Sequence, residues 1–161
     1  MRSIVYKDPV CGMIVEAHTI EIKYSDFHFA FCSNQCRELF LANPHLYIGY
    51  PGHKAPKQRG VQVVKRRHFR LEQPLTSLEC DFLTNDLRNM MGIHEVHVDG
   101  ILIEIAMTYD LMVVTAEQIE ARLAEIGLKL GEEWSERLRR GFVHFMEEFE
   151  VLGLEEPPCR I

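Results

Sequence analysis

Three cysteines near the start of the chain constrain its fold most. Of five cysteines in 161 residues, Cys11, Cys32 and Cys36 fall within the first 36 positions. A helix that begins at the second of them places Cys32 and Cys36 one turn apart, and Gly12 lets the backbone turn tightly beside Cys11. Three thiolates grouped in this way suit Zn(II) or Cu(I). The sequence therefore predicts a site for one ion per chain.

The fourth ligand is left open by the sequence. Met13, His18 and His28 lie in the same region. A thioether suits Cu(I), whereas an imidazole nitrogen completes the tetrahedral set that Zn(II) prefers. A region of about 50 residues buries little apolar surface, and a structural metal is a common remedy.

The N-terminal region resembles the YHS domain, a member of the TRASH-like group of metal-binding domains related to treble-clef zinc fingers. The matching segments span about the first 48 positions: residues 8–13 (DPVCGM), 31–36 (FCSNQC), Phe40 and 43–47 (NPHLY). The resemblance implies heavy-metal binding. Such domains occur in copper-transporting ATPases, metal-resistance proteins and some multicomponent oxygenases, so the resemblance does not fix the metal.

Changes in composition divide the chain into five parts. We predict a metal-binding domain at 1–49, a Gly/Pro-rich linker at 50–60, a second domain at 61–131, a helix at 132–153 and a tail at 154–161. Residues 54–70 contain seven Lys and Arg and no acid. We interpret this positive patch as a solvated linker and strand, with an anion or nucleic-acid site as the alternative.

The second domain shows the element order β-α-β-β-α-β, which is the ferredoxin-like plan. The first half has a strand at 61–71 and a helix whose apolar stripe is formed by Leu78, Phe82, Leu83, Leu87 and Met90. Two strands follow at 94–98 and 101–107, joined by a turn at Asp99-Gly100. The last two elements are a helix capped by Thr115 and Gln118 and a strand at 128–130. The predicted fold class is α+β, a treble-clef-like metal knuckle followed by a ferredoxin-like domain with an added C-terminal amphipathic helix.

This second domain resembles the heavy-metal-associated domain of copper chaperones and transport ATPases. That family carries Met-Thr-Cys-x-x-Cys at the start of its first helix, and the matching stretch here is residues 75–80 (LTSLEC). Ser77 replaces the first cysteine, so only Cys80 remains and the two-thiolate site is broken. We expect Cys80 to be a buried apolar residue; a second site there needs a ligand from another chain, from the tail Cys159 or from the first domain. His94 and His97 are interpreted as surface or core histidines.

The C-terminal helix carries an apolar stripe of Trp134, Leu138, Phe142, Phe145, Phe149 and Leu152. We expect the stripe to be buried against the helix's own sheet or the first domain. A homodimer interface is the second interpretation and a membrane surface the third.

Charge and motifs exclude several function classes. The chain has 18 Lys+Arg against 24 Asp+Glu, a net charge of -6, which argues against a general nucleic-acid binder. It has no apolar run of membrane-spanning length and begins without a secretory signal, so we expect a cytoplasmic protein without membrane insertion. Paired nucleophile and base residues are absent, so we expect no enzyme.

We therefore predict a soluble heavy-metal-binding protein for Cu(I) or Zn(II) that acts as a chaperone, buffer or resistance factor. Its expected partner is a metal-transporting ATPase or another metal acceptor. The alternative is an accessory or interaction module whose metal is a structural Zn(II).

Overall fold

The computed structural model describes residues 4–16, 20–132, 134–155 and 157, apart from the side chains of residues 134, 135 and 138. Contacts divide the chain into unit 1, residues 1–62 and 150–161, and unit 2, residues 63–149. Unit 1 is therefore built from two separate stretches of sequence. Within the described ranges, no helix combines the length and the apolar character needed to cross a bilayer.

Unit 1 contains two small antiparallel sheets and two helices. The first sheet pairs β1 with β2, and the second pairs β3 with β4. Ser25 and Asp26 connect β3 to β4 with φ angles of 47° and 67°, a left-handed pair that forms a tight hairpin turn. The elements are β1 (Val5–Lys7), β2 (Ile14–Glu16), β3 (Ile20–Tyr24), β4 (Phe27–Phe31), α1 (Asn34–Ala42) and α2 (His45–Ile48).

An aromatic cluster around Phe40 forms the core of unit 1. Phe40 is fully buried on α1. Its ring centroid lies 4.8 Å from that of Phe29 and 5.3 Å from that of Phe31, both on β4. Tyr24 and Tyr47 contact it from β3 and α2 at 5.8 and 6.3 Å. The hairpin and both helices are thus held on one apolar centre, and Cys32 follows its member Phe31 directly in sequence.

Residues 50–60, predicted as a linker, are an ordered part of unit 1. Ala55 is fully buried. The Lys57 N–H donates to the Leu46 carbonyl at 3.0 Å. The glycines and prolines of this segment make turns that satisfy the backbone, so it packs on unit 1 and does not act as a spacer.

Unit 2 has the ferredoxin-like arrangement, and the α+β fold class is confirmed. Its three strands pair antiparallel in the order β5-β7-β6. The fourth strand, predicted at 128–130, is reduced to a single bridge between Leu71 and Leu130. The elements are β5 (Val64–Arg70), α3 (Ser77–Arg88), β6 (Ile93–Asp99), β7 (Glu104–Asp110) and α4 (Ala116–Glu125).

The connection between β6 and β7 is longer than the predicted two-residue turn. The Asp99 Oδ1 accepts the N–H groups of Ile101 at 3.0 Å and Leu102 at 2.9 Å. Ile103 adopts a positive φ of 52°. Because the Asp99 side chain caps these amides, β7 begins at Glu104 and not at residue 101.

Helix α3 buries a narrower stripe than predicted. Leu83 and Leu87 are buried, whereas Leu78 is 82% and Phe82 64% exposed. The exposed pair lies on an adjacent face of the helix, so it stays outside the core. The capping box predicted for α4 is present, since Thr115 accepts from the Gln118 N–H.

The long C-terminal helix α5 (Trp134–Glu155) turns its predicted apolar stripe outward. Phe142, Phe145, Phe149 and Leu152 are 55–66% exposed, so their expected burial is wrong. The helix instead buries Glu147, whose carboxylate accepts the Ala116 N–H at 2.9 Å and the hydroxyl of Tyr109. The side chains of Trp134 and Leu138 lie outside the described residues.

Candidate metal centre

The first part of the centre is the connection between β1 and β2, residues 8–13, which we call the knuckle. The Asp8 N–H donates to the Met13 carbonyl at 2.8 Å, and the Gly12 N–H donates to the Asp8 carbonyl at 2.9 Å. Gly12 has a φ of 80°, a conformation that a residue with a side chain rarely adopts. This tight turn presents Cys11 beside the glycine.

The second part is the junction of β4 with α1. Cys32 follows β4 directly, and Ser33 is the N-cap of α1. The Ser33 Oγ accepts the Cys36 N–H at 3.4 Å, which starts the helix and fixes Cys36 in its first turn. The positive end of the helix dipole favours a thiolate at this position.

The structure brings the three cysteine sulfurs together. The Cys11 Sγ lies 3.4 Å from the Cys32 Sγ, which lies 3.6 Å from the Cys36 Sγ. With one carboxylate oxygen of Asp8, their atoms all lie within 4.8 Å of one another. Cys36 is buried, whereas Cys11 and Cys32 are half-buried. Among the described residues, this is the only such cluster of three or more His, Cys, Asp or Glu.

Asp8 holds the two parts together, and the sequence interpretation gave it no role of its own. Its carboxylate is fully buried. The Oδ1 accepts the N–H groups of Val10 at 2.8 Å and Cys11 at 3.3 Å, and the Oδ2 accepts the Cys32 N–H at 2.8 Å. Burial alone would raise the pKa of this carboxyl, but the backbone bonds from Cys32 and Val10 outweigh burial and lower the pKa. An ionised Asp8 therefore fixes the knuckle against the start of α1.

The three cysteine thiols differ in pKa. Hydrogen bonding from Cys36 lowers the pKa of Cys11 to about 7, because the neighbouring thiols stabilise its thiolate. Burial raises the pKa of Cys32 to about 11. The pKa of Cys36 is also raised, first by its hydrogen bond to the Cys11 sulfur and then by burial. Without a cation, the cluster therefore favours one thiolate; a bound cation would be needed to ionise the others.

The structure leaves the fourth ligand unassigned. Met13 is 47% exposed at the end of the knuckle. His28 is exposed on β4, opposite Lys23 in the hairpin register, and is not part of the cluster. His18 lies outside the described residues.

Cys80 stands apart from any metal cluster in the described part of the chain. It is half-buried in the first turn of α3, three residues after Ser77. Its sulfur packs against Gly100, where an added Cβ would come within 2.8 Å of it. His94 and His97 are both exposed on β6. Cys159 lies outside the described residues, so the structure gives it no place beside Cys80.

Comparison with known proteins finds similarity to two solved structures, each over 43% of this chain. No family model and no curated protein matches it. The solved CsoZ metallochaperone is similar at 20% identity and a TM-score of 0.41, over 43% of this chain and 99% of that one. Oxidized MerP from Ralstonia metallidurans CH34 is similar at 12% identity and a TM-score of 0.40, over 43% of this chain and 96% of that one. Values this low establish nothing about what this chain binds, and the YHS resemblance stays a prediction.

Proposed function

We propose that unit 1 binds one soft metal ion, Zn(II) or Cu(I), through Cys11, Cys32 and Cys36. The observation that carries the proposal is the convergence of three sulfurs, with neighbouring pairs 3.4 and 3.6 Å apart. Thiolates bound to one Zn(II) at about 2.3 Å in a tetrahedron lie about 3.8 Å apart, so only a small expansion admits the ion. Met13, His18 and His28 remain the predicted fourth ligands.

The metal in this proposal is cargo, and the protein acts as a chaperone, buffer or resistance factor. Two of the three cysteines are half-buried, which leaves the cluster open to an acceptor thiolate. Unit 2 has the ferredoxin-like fold with a lone Cys80, which suits docking to a metal-transporting ATPase or another acceptor more than a second metal site. We assign no catalysis, and we place the protein in the cytoplasm because free thiols persist in a reducing compartment.

A structural Zn(II) is the second candidate function. It is favoured by the full burial of Cys36 and by the position of the cluster, which joins the knuckle to the start of α1. An ion there would cross-link two segments of a small unit and raise its stability. The protein would then be an accessory or interaction module.

The rate at which the ion leaves distinguishes the two functions. We would purify the full chain from its native host, measure its metal content and then follow metal loss to excess chelator. Loss within minutes supports cargo, and retention for hours with unfolding on final loss supports a structural ion. Cys11→Ser, Cys32→Ser and Cys36→Ser should each abolish stoichiometric binding, whereas Cys80→Ser should not. Stoichiometric binding by the three single variants would refute the site.

We also propose a second copy of the chain as the partner of the exposed stripe on α5. Three exposed phenylalanines and a leucine recur at intervals of three and four, the spacing of a coiled-coil seam. Arg137 and Arg139 lie near one end of the helix and Glu148 near the other. An antiparallel copy therefore places basic ends beside acidic ones. The stripe contains Phe142, Phe145, Phe149 and Leu152.

The mass in solution tests this dimer. With about 150–250 Å² per aromatic side chain, the stripe would bury on the order of 1,000 Å² in a pair, near the lower limit for a specific interface. Light scattering should give twice 18.7 kDa for the wild type and 18.7 kDa for Phe145→Glu. The matched variant Phe82→Glu, on an exposed position of α3, should stay dimeric. A monomeric wild type at high concentration would refute the dimer.

A further inference from the structure

Strand β5 has a free edge in unit 2. A four-stranded ferredoxin-like sheet has a last strand beside its first, but here only Leu71 and Leu130 form a bridge. Because α5 begins at Trp134, the chain turns into a helix four residues after that bridge. In the described part of the chain, no strand pairs with β5 on the side away from β7.

The hydrogen bonds at the end of β5 show which residues point to this edge. The Arg70 carbonyl accepts from the Gly131 N–H at 2.9 Å, on the side away from β7. In an antiparallel sheet the N–H and C=O of one residue point the same way, and the direction alternates along the strand. Val64, Arg66 and His68 therefore present their backbone groups at the free edge.

These edge groups have few partners. The Arg66 carbonyl accepts from the Nη1 of Arg67 at 3.2 Å. The other outward backbone groups of Val64, Arg66 and His68 have no protein partner among the described residues. Backbone donors and acceptors arranged in this way are a template for another strand.

The free edge borders a positively charged cleft of about 170 Å³ between β5 and α5. Five arginines and two glutamates line the cleft, which gives a net charge of +3 with His68 neutral, in a chain whose net charge is -6. The arginines are Arg66, Arg67, Arg70, Arg139 and Arg140, and the glutamates are Glu120 and Glu136. Four of the arginines form no salt bridge among the described residues: Arg66, Arg70, Arg139 and Arg140, the last of which donates to the Gly131 carbonyl at 2.7 Å.

We propose that the free edge of β5 binds an extended acidic peptide segment of a partner protein as an added strand. The edge backbone supplies the hydrogen bonds of strand addition. Arg66 and Arg70 lie on one face of β5, because side chains alternate along a strand. Carboxylates at alternate positions of the added strand would lie beside them and form charge-assisted hydrogen bonds.

A second copy of the chain does not suit this edge. Antiparallel pairing of two β5 strands about His68 would place Arg66 opposite Arg70 of the second copy, and like charges in opposite positions are destabilising. The charge that attracts an acidic segment therefore also discourages edge-to-edge self-association.

The test measures binding of a fluorescein-labelled peptide of alternating Glu and Val, eight residues long, to the full chain by anisotropy. We expect Arg66→Glu with Arg70→Glu to weaken binding at least tenfold. The matched control is Lys54→Glu with Arg59→Glu, two exposed residues of unit 1 that carry the same change in charge; it should bind within twofold of the wild type. An equal loss in both double variants would refute the site.

Methylated peptides separate strand addition from simple attraction of a polyanion. One version of the peptide carries N-methyl groups on the amides of its odd-numbered residues, and a second version carries them on the amides of its even-numbered residues. We expect one version to lose at least tenfold in affinity and the other to bind nearly as the parent does, because only alternate amides of an added strand face β5. Equal binding by both versions, or no binding by the parent peptide, would overturn the proposal.

Discussion

Asp8→Asn tests whether one buried carboxylate assembles the metal centre. The side chain accepts three backbone N–H groups, two on the Oδ1 and the Cys32 N–H on the Oδ2. Asparagine keeps one acceptor oxygen and replaces the other with an NH₂ group, which points its hydrogens at an N–H donor. At least one of the donors from Val10, Cys11 and Cys32 then loses its partner.

The size of the effect follows from burial. Hydrogen bonds to a charged group contribute about 1.5–3 kcal/mol, and an unsatisfied buried donor costs about 1–3 kcal/mol. Asp8 is fully buried, so solvent does not compensate. We expect Asp8→Asn to lower the free energy of unfolding of metal-free unit 1 by about 3 kcal/mol, a change on the order of 100-fold in the equilibrium constant.

The assay is native-state hydrogen exchange of the full chain under reducing conditions. The amide of Phe40 in α1, which Asp8 does not bind, reports the unfolding of unit 1 and avoids the assumption that both units unfold together. Asp26→Asn is the matched control, because its side chain is 94% exposed in the β3–β4 turn; its effect should stay within about 0.5 kcal/mol. Similar protection in both variants would refute the role given to Asp8.

Three further substitutions test unit 2 by urea unfolding. Tyr109→Phe removes the hydroxyl that donates to buried Glu147 and should cost about 1–3 kcal/mol; unchanged stability would contradict this bond. Gly100→Ala places a Cβ 2.6 Å from the Leu75 carbonyl oxygen and should also cost about 1–3 kcal/mol; an unchanged free energy of unfolding would contradict this close approach. Burial raises the pKa of Glu120 in the folded state. The wild type should therefore lose stability relative to Glu120→Gln as the pH rises from about 4.3 through the folded-state pKa. A difference in the free energy of unfolding that does not change with pH would argue against this shift.

The sequence predicted the features that depend on neighbours along the chain. The spacing of Cys32 and Cys36, the turn at Gly12 and the Thr115 capping box are all local, and the structure has each of them. The role of Asp8 was missed because its partner Cys32 lies 24 residues away. The available signal was local: Asp8 lies two residues before Val10, whose N–H it accepts, in a turn that leads to Cys11.

The choice of buried helix face could not be made from periodicity. On α3, Leu78 with Phe82 and Leu83 with Leu87 are both spaced by four residues, yet only the second pair is buried. On α5, the buried face includes Glu147, which periodicity assigns to the polar side. Which face of α3 or α5 is buried depends on the groups of the sheet and of α4 that the helix packs against. These are tertiary contacts, which the sequence pattern of one helix does not contain.

The two-part composition of unit 1 has a consequence for its folding on the ribosome. The His45 N–H donates to the Glu155 Oε1 at 3.0 Å across 110 residues, and the Tyr50 hydroxyl donates to the Glu155 carbonyl across 105. Contacts of such high sequence separation form late and slow the completion of a fold. During synthesis the N-terminal part emerges first but lacks these bonds until the last turn of α5 has left the exit tunnel. The domain that is translated first is therefore among the last to be completed.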